Sequence, residues 1–227
     1  MAALRAGRIP TAVLISGRGS NMQALLDAAA APDYPAGIVL VVANTPEAEG
    51  LARAEAAGVA TAVVDHTAFA SRAGFEAALH NVLIDAGVDL VCLAGFMRVL
   101  TSDFVDRWKD RLVNVHPSLL PAFPGARAIP EALAAGVKIT GATVHLVREA
   151  VDDGPILGQA AVPVLAGDTE ARLGARIRAA EHALYPRCLA ALARGDVEVL
   201  GKWTETGSAS PAVCDTPPIL IHPGSGR

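Results

Sequence analysis

Short apolar, β-branched runs recur through the first half of the chain, each broken by Gly, Pro or Asn and followed by an Ala- and Leu-rich stretch of helical length. The runs are residues 11–16, 38–43, 60–64, 90–94 and 112–115, and none alternates apolar with polar positions as a strand with one wet face would. Helical composition follows at 22–30, 47–57 and 68–86. The second of these helices has Thr45 as candidate N-cap, Pro46 at its first position and Gly58 as its stop. Strands apolar on both sides, linked by helical crossovers, predict a parallel sheet covered on both faces.

The alternation fails after residue 115. Pro117, Pro121, Pro124 and Gly125 predict a long loop, then a short helix over 130–135, then two long strands, 140–147 and 156–164, that read as an antiparallel pair. Residues 170–194 carry Leu173, Ile177, Ala180, Leu184 and Leu189 at helical spacing, so a long helix closes the fold, with Pro186 predicting a kink or break near Leu184. The expected class is α/β: one domain with an open, mostly parallel, Rossmann-like twisted sheet, helices on both faces and an antiparallel C-terminal portion. Residues 1–10 read as an N-terminal extension, 11–203 as the domain, and 204–227 as an extended or disordered tail.

Composition narrows the function classes. A chain of 227 residues with 52% hydrophobic content has enough material for one sizeable core. A net charge of -4 without a Lys/Arg run excludes a nucleic-acid footprint. Cys92, Cys188 and Cys214 are odd in number and form no Cys-x-x-Cys pair, which fits reduced thiols in the cytoplasm. No secretory h-region or uninterrupted apolar stretch of membrane-spanning length is present, so the expected partners are small molecules, not nucleic acid or membrane.

Three segments carry candidate chemistry. Asn114 and His116 stand two apart at the end of the fifth run and share a face, and Pro117 stops the strand, delivering both to the carboxyl edge where open α/β sheets bind ligands. They suit hydrogen bonding to an oxyanion, and equally a simple strand cap. Gly17-Arg18-Gly19-Ser20-Asn21 joins the first strand to the first helix, a place for a single phosphate or for a plain capped turn. It lacks both the Gly-Lys-Ser/Thr of a Walker loop and the third glycine of a dinucleotide fingerprint. Asp152 and Asp153 precede a Gly-Pro turn, and a carboxylate near His116 would favour its charged form. His145 alternates with apolar neighbours and reads as a core histidine, while His66, His80, His182 and His222 show no indicated role. No cluster has zinc spacing, so no metal is expected. Without a nucleophile signature, direct transfer between two bound molecules is the reaction type that remains.

The chain resembles the folate-dependent formyltransferase family, specifically members that formylate glycinamide ribonucleotide in purine biosynthesis. The carrying segments, in order within about residues 11–203, are Ile15-Ser16-Gly17-Arg18-Gly19-Ser20-Asn21, Leu93-Ala94-Gly95-Phe96-Met97-Arg98, Asn114-Val115-His116-Pro117-Ser118-Leu119-Leu120-Pro121, Asp152-Asp153-Gly154-Pro155 and Glu181-His182-Ala183-Leu184-Tyr185-Pro186. The resemblance implies the formyltransferase fold, 10-formyltetrahydrofolate as co-substrate, glycinamide ribonucleotide as acceptor, and a cytoplasmic monomer or homodimer. It implies a catalytic trio of Asn114, His116 and Asp152. Gly19, Ser20, Asn21 and Met22 would hold the ribonucleotide at its phosphate, and Glu181 would bind it near its glycinamide end. Arg72, Met97, Arg98, Val99 and Leu100, with Asn114 and Val147, would contact the folate. Arg127 and Ile129 stand where the family commonly has histidines, and Asp153 adds a second carboxylate. Relatives that formylate tRNA or hydrolyse the folate carry an additional domain, which this sequence is not expected to have.

Overall fold

The computed structural model describes residues 7–201 and 203–206; of the tail expected over 204–227, residues 204–206 form strand and 207–227 lie outside the described residues. Seven strands form one sheet in the order β3-β2-β1-β4-β5-β6-β7. They are β1 (Ile9–Ile15), β2 (Ala36–Ala43), β3 (Ala60–Val63), β4 (Leu90–Leu93), β5 (Leu112–His116), β6 (Ile139–Leu146) and β7 (Ile156–Pro163). The first five are mutually parallel, and β6 and β7 run antiparallel, as expected.

The absence of polar alternation has a direct cause. Along β1, Val13 and Ile15 enter one core with residues of α1 (Ser20–Ala29) and α6 (Glu170–Arg194), whereas Ala12 and Leu14 enter a second core with residues of α3 (Arg72–Asp85) and α4 (Ser102–Arg107). Both faces of the strand are therefore buried, and a period of two places successive residues in opposite cores. The strand order reverses between β1 and β4, so the loops after these two strands border the crevice where sheets of this type bind ligands. Ser16 N–H donates to Gly95 O at 3.2 Å, and Ser16 Oγ accepts from Met97 N–H at 2.8 Å, tying the two loops together.

Several boundaries differ from expectation. The helix after β2 is α2 (Gly50–Ala56), not 47–57; Thr45 and Pro46 lie in the preceding turn and Glu49 is the N-cap. The reason is a close approach: Gly50 N–H donates to Gly17 O at 3.0 Å, so the helix starts where it meets the first loop. The expected helix over 68–86 is split into a 3-10 turn, His66–Ala68, and α3, which starts after the Ser71 cap. α4 was not expected; Thr101 caps it, its Oγ accepting from Phe104 N–H at 3.4 Å. The short helix is α5 (Ala128–Ala134). A small antiparallel hairpin, β8 (Val197–Leu200) and β9 (Trp203–Thr206), also went unforeseen. α6 is uninterrupted at Pro186, contrary to the expected break. Fully buried Tyr185 and Leu189 fasten the helix to the sheet, and the Tyr185 hydroxyl reaches Val113 O at 3.0 Å. Burial of two such side chains, at about 1.5–3 kcal/mol each, offsets the ~3 kcal/mol cost of an internal proline. Among the described residues no helix is long and apolar enough to cross a membrane.

A side chain at position 50 would disrupt the junction that sets the first loop. Its Cβ would lie 2.6 Å from Ile15 Cδ1, 3.2 Å from Gly17 O and 3.3 Å from Gly19 Cα. Gly50→Ala is expected to destabilise the protein by about 1–3 kcal/mol. Equilibrium urea unfolding measures this as a lowered midpoint, and an unchanged midpoint would mean the two loops separate without cost.

Candidate active site

On β5, Val113 and Val115 point into the core beneath α1 and α6, so Asn114 and His116 project from the opposite face. The antiparallel register sets Asn114 opposite His145 and His116 opposite Thr143. Val144 and Leu146 fill the same core as Val113, which turns His145 to the side of Asn114. Its Nε2 lies 3.2 Å from Asn114 Nδ2, while Nδ1 contacts Leu146 O at 3.0 Å. Nε2 thus sits between the Asn114 amide and the Asp152 carboxylate, and an Asn114 amide N–H remains for a ligand. His145 is buried and hydrogen-bonded, as expected of a core histidine, and it also borders Asn114 and Asp152. Its period-two relation to Val144 and Leu146 was readable, but its partner came from the β5–β6 register.

Asp152 comes from the loop between β6 and β7. That loop folds back tightly enough for Leu146 N–H to donate to Pro155 O at 2.8 Å, and a Cβ on Gly154 would fall 1.7 Å from Leu146 O. Asp152 itself takes φ 55°, a left-handed conformation rare for a residue other than glycine. Its side chain is 8% exposed; Oδ2 lies 3.3 Å from His116 Nδ1 and accepts from Gly125 N–H at 2.7 Å, and Oδ1 lies 3.6 Å from His145 Nε2. Burial pushes this carboxyl up, but the His145 imidazole, the Gly125 N–H and the charge of His116 outweigh it and hold Asp152 below the ordinary carboxyl value. His116 Nε2 meets Phe123 O at 2.9 Å, so both ring nitrogens face oxygen acceptors.

The trio opens into a cavity of about 350 Å³, within the usual size range of small-molecule sites. Met97, Arg98, Val99, Leu100 and Val147, all expected at the folate, line it together with Asn114, His116 and Asp152. Arg72 is not part of this wall; it is exposed in the first turn of α3, just after the Ser71 cap. Arg127 is exposed, and Ile129 packs toward Leu173 and Ile177 beside α6. Among the described residues no group of three or more His, Cys, Asp or Glu is arranged to hold a metal ion.

The second expected locus is the start of α1. Gly19 is its N-cap at φ 70°, and no side chain caps it, leaving the first N–H groups of the helix oriented toward an incoming anion. Asn21 Nδ2 donates to Glu181 Oε2 at 2.8 Å, so α1 and α6 bring these two expected ribonucleotide residues together. Met22, also expected there, is fully buried in the core. Glu181 is 5% exposed; burial raises its carboxyl above the ordinary value, with the Asn21 hydrogen bond and the charge of Arg178 opposing the rise.

Residues 10–189 match the model of the formyl transferase family. The chain is 45% identical over 197 residues to a phosphoribosylglycinamide formyltransferase of Mycobacterium tuberculosis, covering 86% of this chain and 90% of that one. It is 47% identical over 196 residues to the trifunctional purine biosynthetic protein adenosine-3 of Gallus gallus, covering 86% of this chain but only about a fifth (20%) of that protein's length. A crystal structure of glycinamide ribonucleotide transformylase 1 from Symbiobacterium toebii superposes with a TM-score of 0.87 at 45% identity, covering 89% of this chain and 96% of that one.

Because the Asp152 carboxyl is depressed in the folded state, its stabilising contribution is complete above the unfolded value of about 3.9 and is lost as pH falls through the lower folded value. Asp152→Asn should therefore flatten the acid limb of the stability–pH curve, measured by urea unfolding at a series of pH values. An acid limb identical to the parent's would mean that the carboxylate contributes nothing there.

Proposed function

The chain belongs to the formyl transferase family, and from that premise we propose that it transfers the formyl group of 10-formyltetrahydrofolate to the amine of glycinamide ribonucleotide in purine biosynthesis. One observation carries the reading: His116 meets the buried carboxylate of Asp152 at 3.3 Å, and both line, with Asn114, a cavity walled by Met97 to Leu100 and Val147. The cavity accommodates the folate, which supplies the formyl carbon and receives the departing electron pair at N10. The ribonucleotide phosphate sits on the N–H groups at the start of α1, with Ser20 and Asn21 adding side-chain donors and Glu181 binding near the glycinamide. Both ligands act as freely diffusing small molecules, and the protein works in the cytoplasm as a monomer or homodimer.

The new bond forms between the substrate amine and the formyl carbon, and the bond from that carbon to N10 breaks. Between these events the formyl oxygen carries negative charge. An N–H of His116, released from Phe123 O, and the free amide N–H of Asn114 donate to it. Asp152, ionised at neutral pH, keeps the imidazole in its donating form and lies at one end of the path by which the proton leaves the attacking nitrogen for N10. Holding both reactants in place supplies much of the remaining acceleration.

Incubation of the purified chain with both substrates should give folate deformylation that depends on the ribonucleotide; deformylation at the same rate in its absence would identify a hydrolase. His116→Ala and Asp152→Asn should each lower kcat by about a hundredfold or more while the circular dichroism spectrum stays native. Wild-type turnover in either variant would remove that residue from the mechanism. Ser20→Ala and Asn21→Ala should raise the KM for the ribonucleotide about tenfold, as for loss of a charge-assisted hydrogen bond, and leave the folate KM unchanged. Equal effects on both substrates would locate the phosphate elsewhere.

A further inference from the structure

The wall formed by Met97 to Leu100 has no regular secondary structure, and Met97 and Val99 are 77% and 57% exposed, so only Leu100, packed into the core at its end, is fixed by burial. The wall is suspended between two side chains that lie outside the cavity lining. At one end Ser16 Oγ, at the end of β1, accepts from Met97 N–H at 2.8 Å. At the other, Glu76 on α3 takes both donors of Thr101: Oε1 accepts the backbone N–H at 2.9 Å, and Oε2 accepts the hydroxyl proton.

Glu76 is 4% exposed, an expensive place for a carboxylate unless its bonds matter to the fold around it. By fixing the Thr101 proton, it turns a hydroxyl lone pair toward Phe104 N–H, the cap of α4. One carboxylate therefore sets both the end of the segment 97–100 and the start of the helix that follows it. Arg72 lies four residues before Glu76, on the same face of α3.

Resting on the functional reading above, we propose that Glu76 is a positioning residue for the formyl donor: through Thr101 it holds the segment 97–100 in the shape that receives the folate, without touching the ligand. Ser16 is its counterpart at the other end of the segment. Because Ser16 directly precedes Gly17, the donor wall is tethered to the loop assigned to the ribonucleotide phosphate.

The test uses the full chain with Glu76→Ala, Glu76→Gln and Thr101→Val, thermal melting for folding, steady-state kinetics for both substrates, and calorimetric titration with tetrahydrofolate, which needs no turnover. Glu76→Ala and Thr101→Val should raise the donor KM and the tetrahydrofolate Kd about tenfold, with the ribonucleotide KM changing less than about twofold. Glu76→Gln keeps an acceptor for the Thr101 N–H and offers an amide N–H to the Thr101 Oγ, reversing the direction of the second bond while keeping the link, and should stay within about threefold of the parent. If Glu76→Ala does not fold, Thr101→Val decides. Parental donor constants in a folded Glu76→Ala or Thr101→Val, or equal losses for both substrates, would overturn the assignment. Failure of the unsubstituted chain to bind tetrahydrofolate would overturn the functional reading and this assignment with it; binding by the parent with unaltered variants would remove only the role of Glu76.

Discussion

The buried carboxylate of Asp152 is the interaction on which the site depends. It faces His116 from β5, His145 from β6 and the Gly125 N–H of the proline-containing loop, so one side chain draws together segments up to 36 residues away in sequence, from 116 to 152. A carboxylate in such a place is tolerable only when its surroundings supply donors and opposite charge, and removal of one partner leaves the rest exposed to the full cost of desolvation. The site is consequently assembled as a unit. The left-handed backbone of Asp152 and the close passage of Gly154 over Leu146 O are the local strains that this arrangement sustains.

The sheet topology distributes two binding tasks along one edge. β1 ends in the loop that presents uncapped helix N–H groups, while β4 and β5 end in the segment 97–100 and in Asn114 with His116. On the proposed function, the neighbouring positions of β1 and β4 where strand order reverses bring the reactive ends of the two substrates together. The Ser16 hydroxyl links the two loops directly through Met97 N–H.

Function and stability pull apart elsewhere in the molecule. Glu181 is kept buried with a raised carboxyl value, which costs stability in its ionised form, and it accepts a hydrogen bond from Asn21 in the first turn of α1. α6 carries Pro186 in its interior and remains helical because Tyr185 and Leu189 bind it to the sheet. Tertiary packing there overrides a local preference worth a few kcal/mol.

Much of this architecture follows from the sequence alone, because it rests on local periodicity and on chain breakers. Five apolar runs separated by helical stretches imply a parallel sheet with two covered faces, and the shared face of Asn114 and His116 follows from the period of two before Pro117. The family resemblance identified Asp152 and Glu181 as their companions. What the tertiary structure decided has no local signature. The start of α2 at Gly50 depends on what the helix meets in space, unlike the caps of α3 and α4, which are local bonds that Ser71 and Thr101 accept from the N–H three residues on. His145 looked like a core residue because its sequence neighbours are apolar, yet the antiparallel register places it against Asn114 and Asp152. Register and loop packing are sums of contacts between distant segments, and those sums form only when the chain is folded.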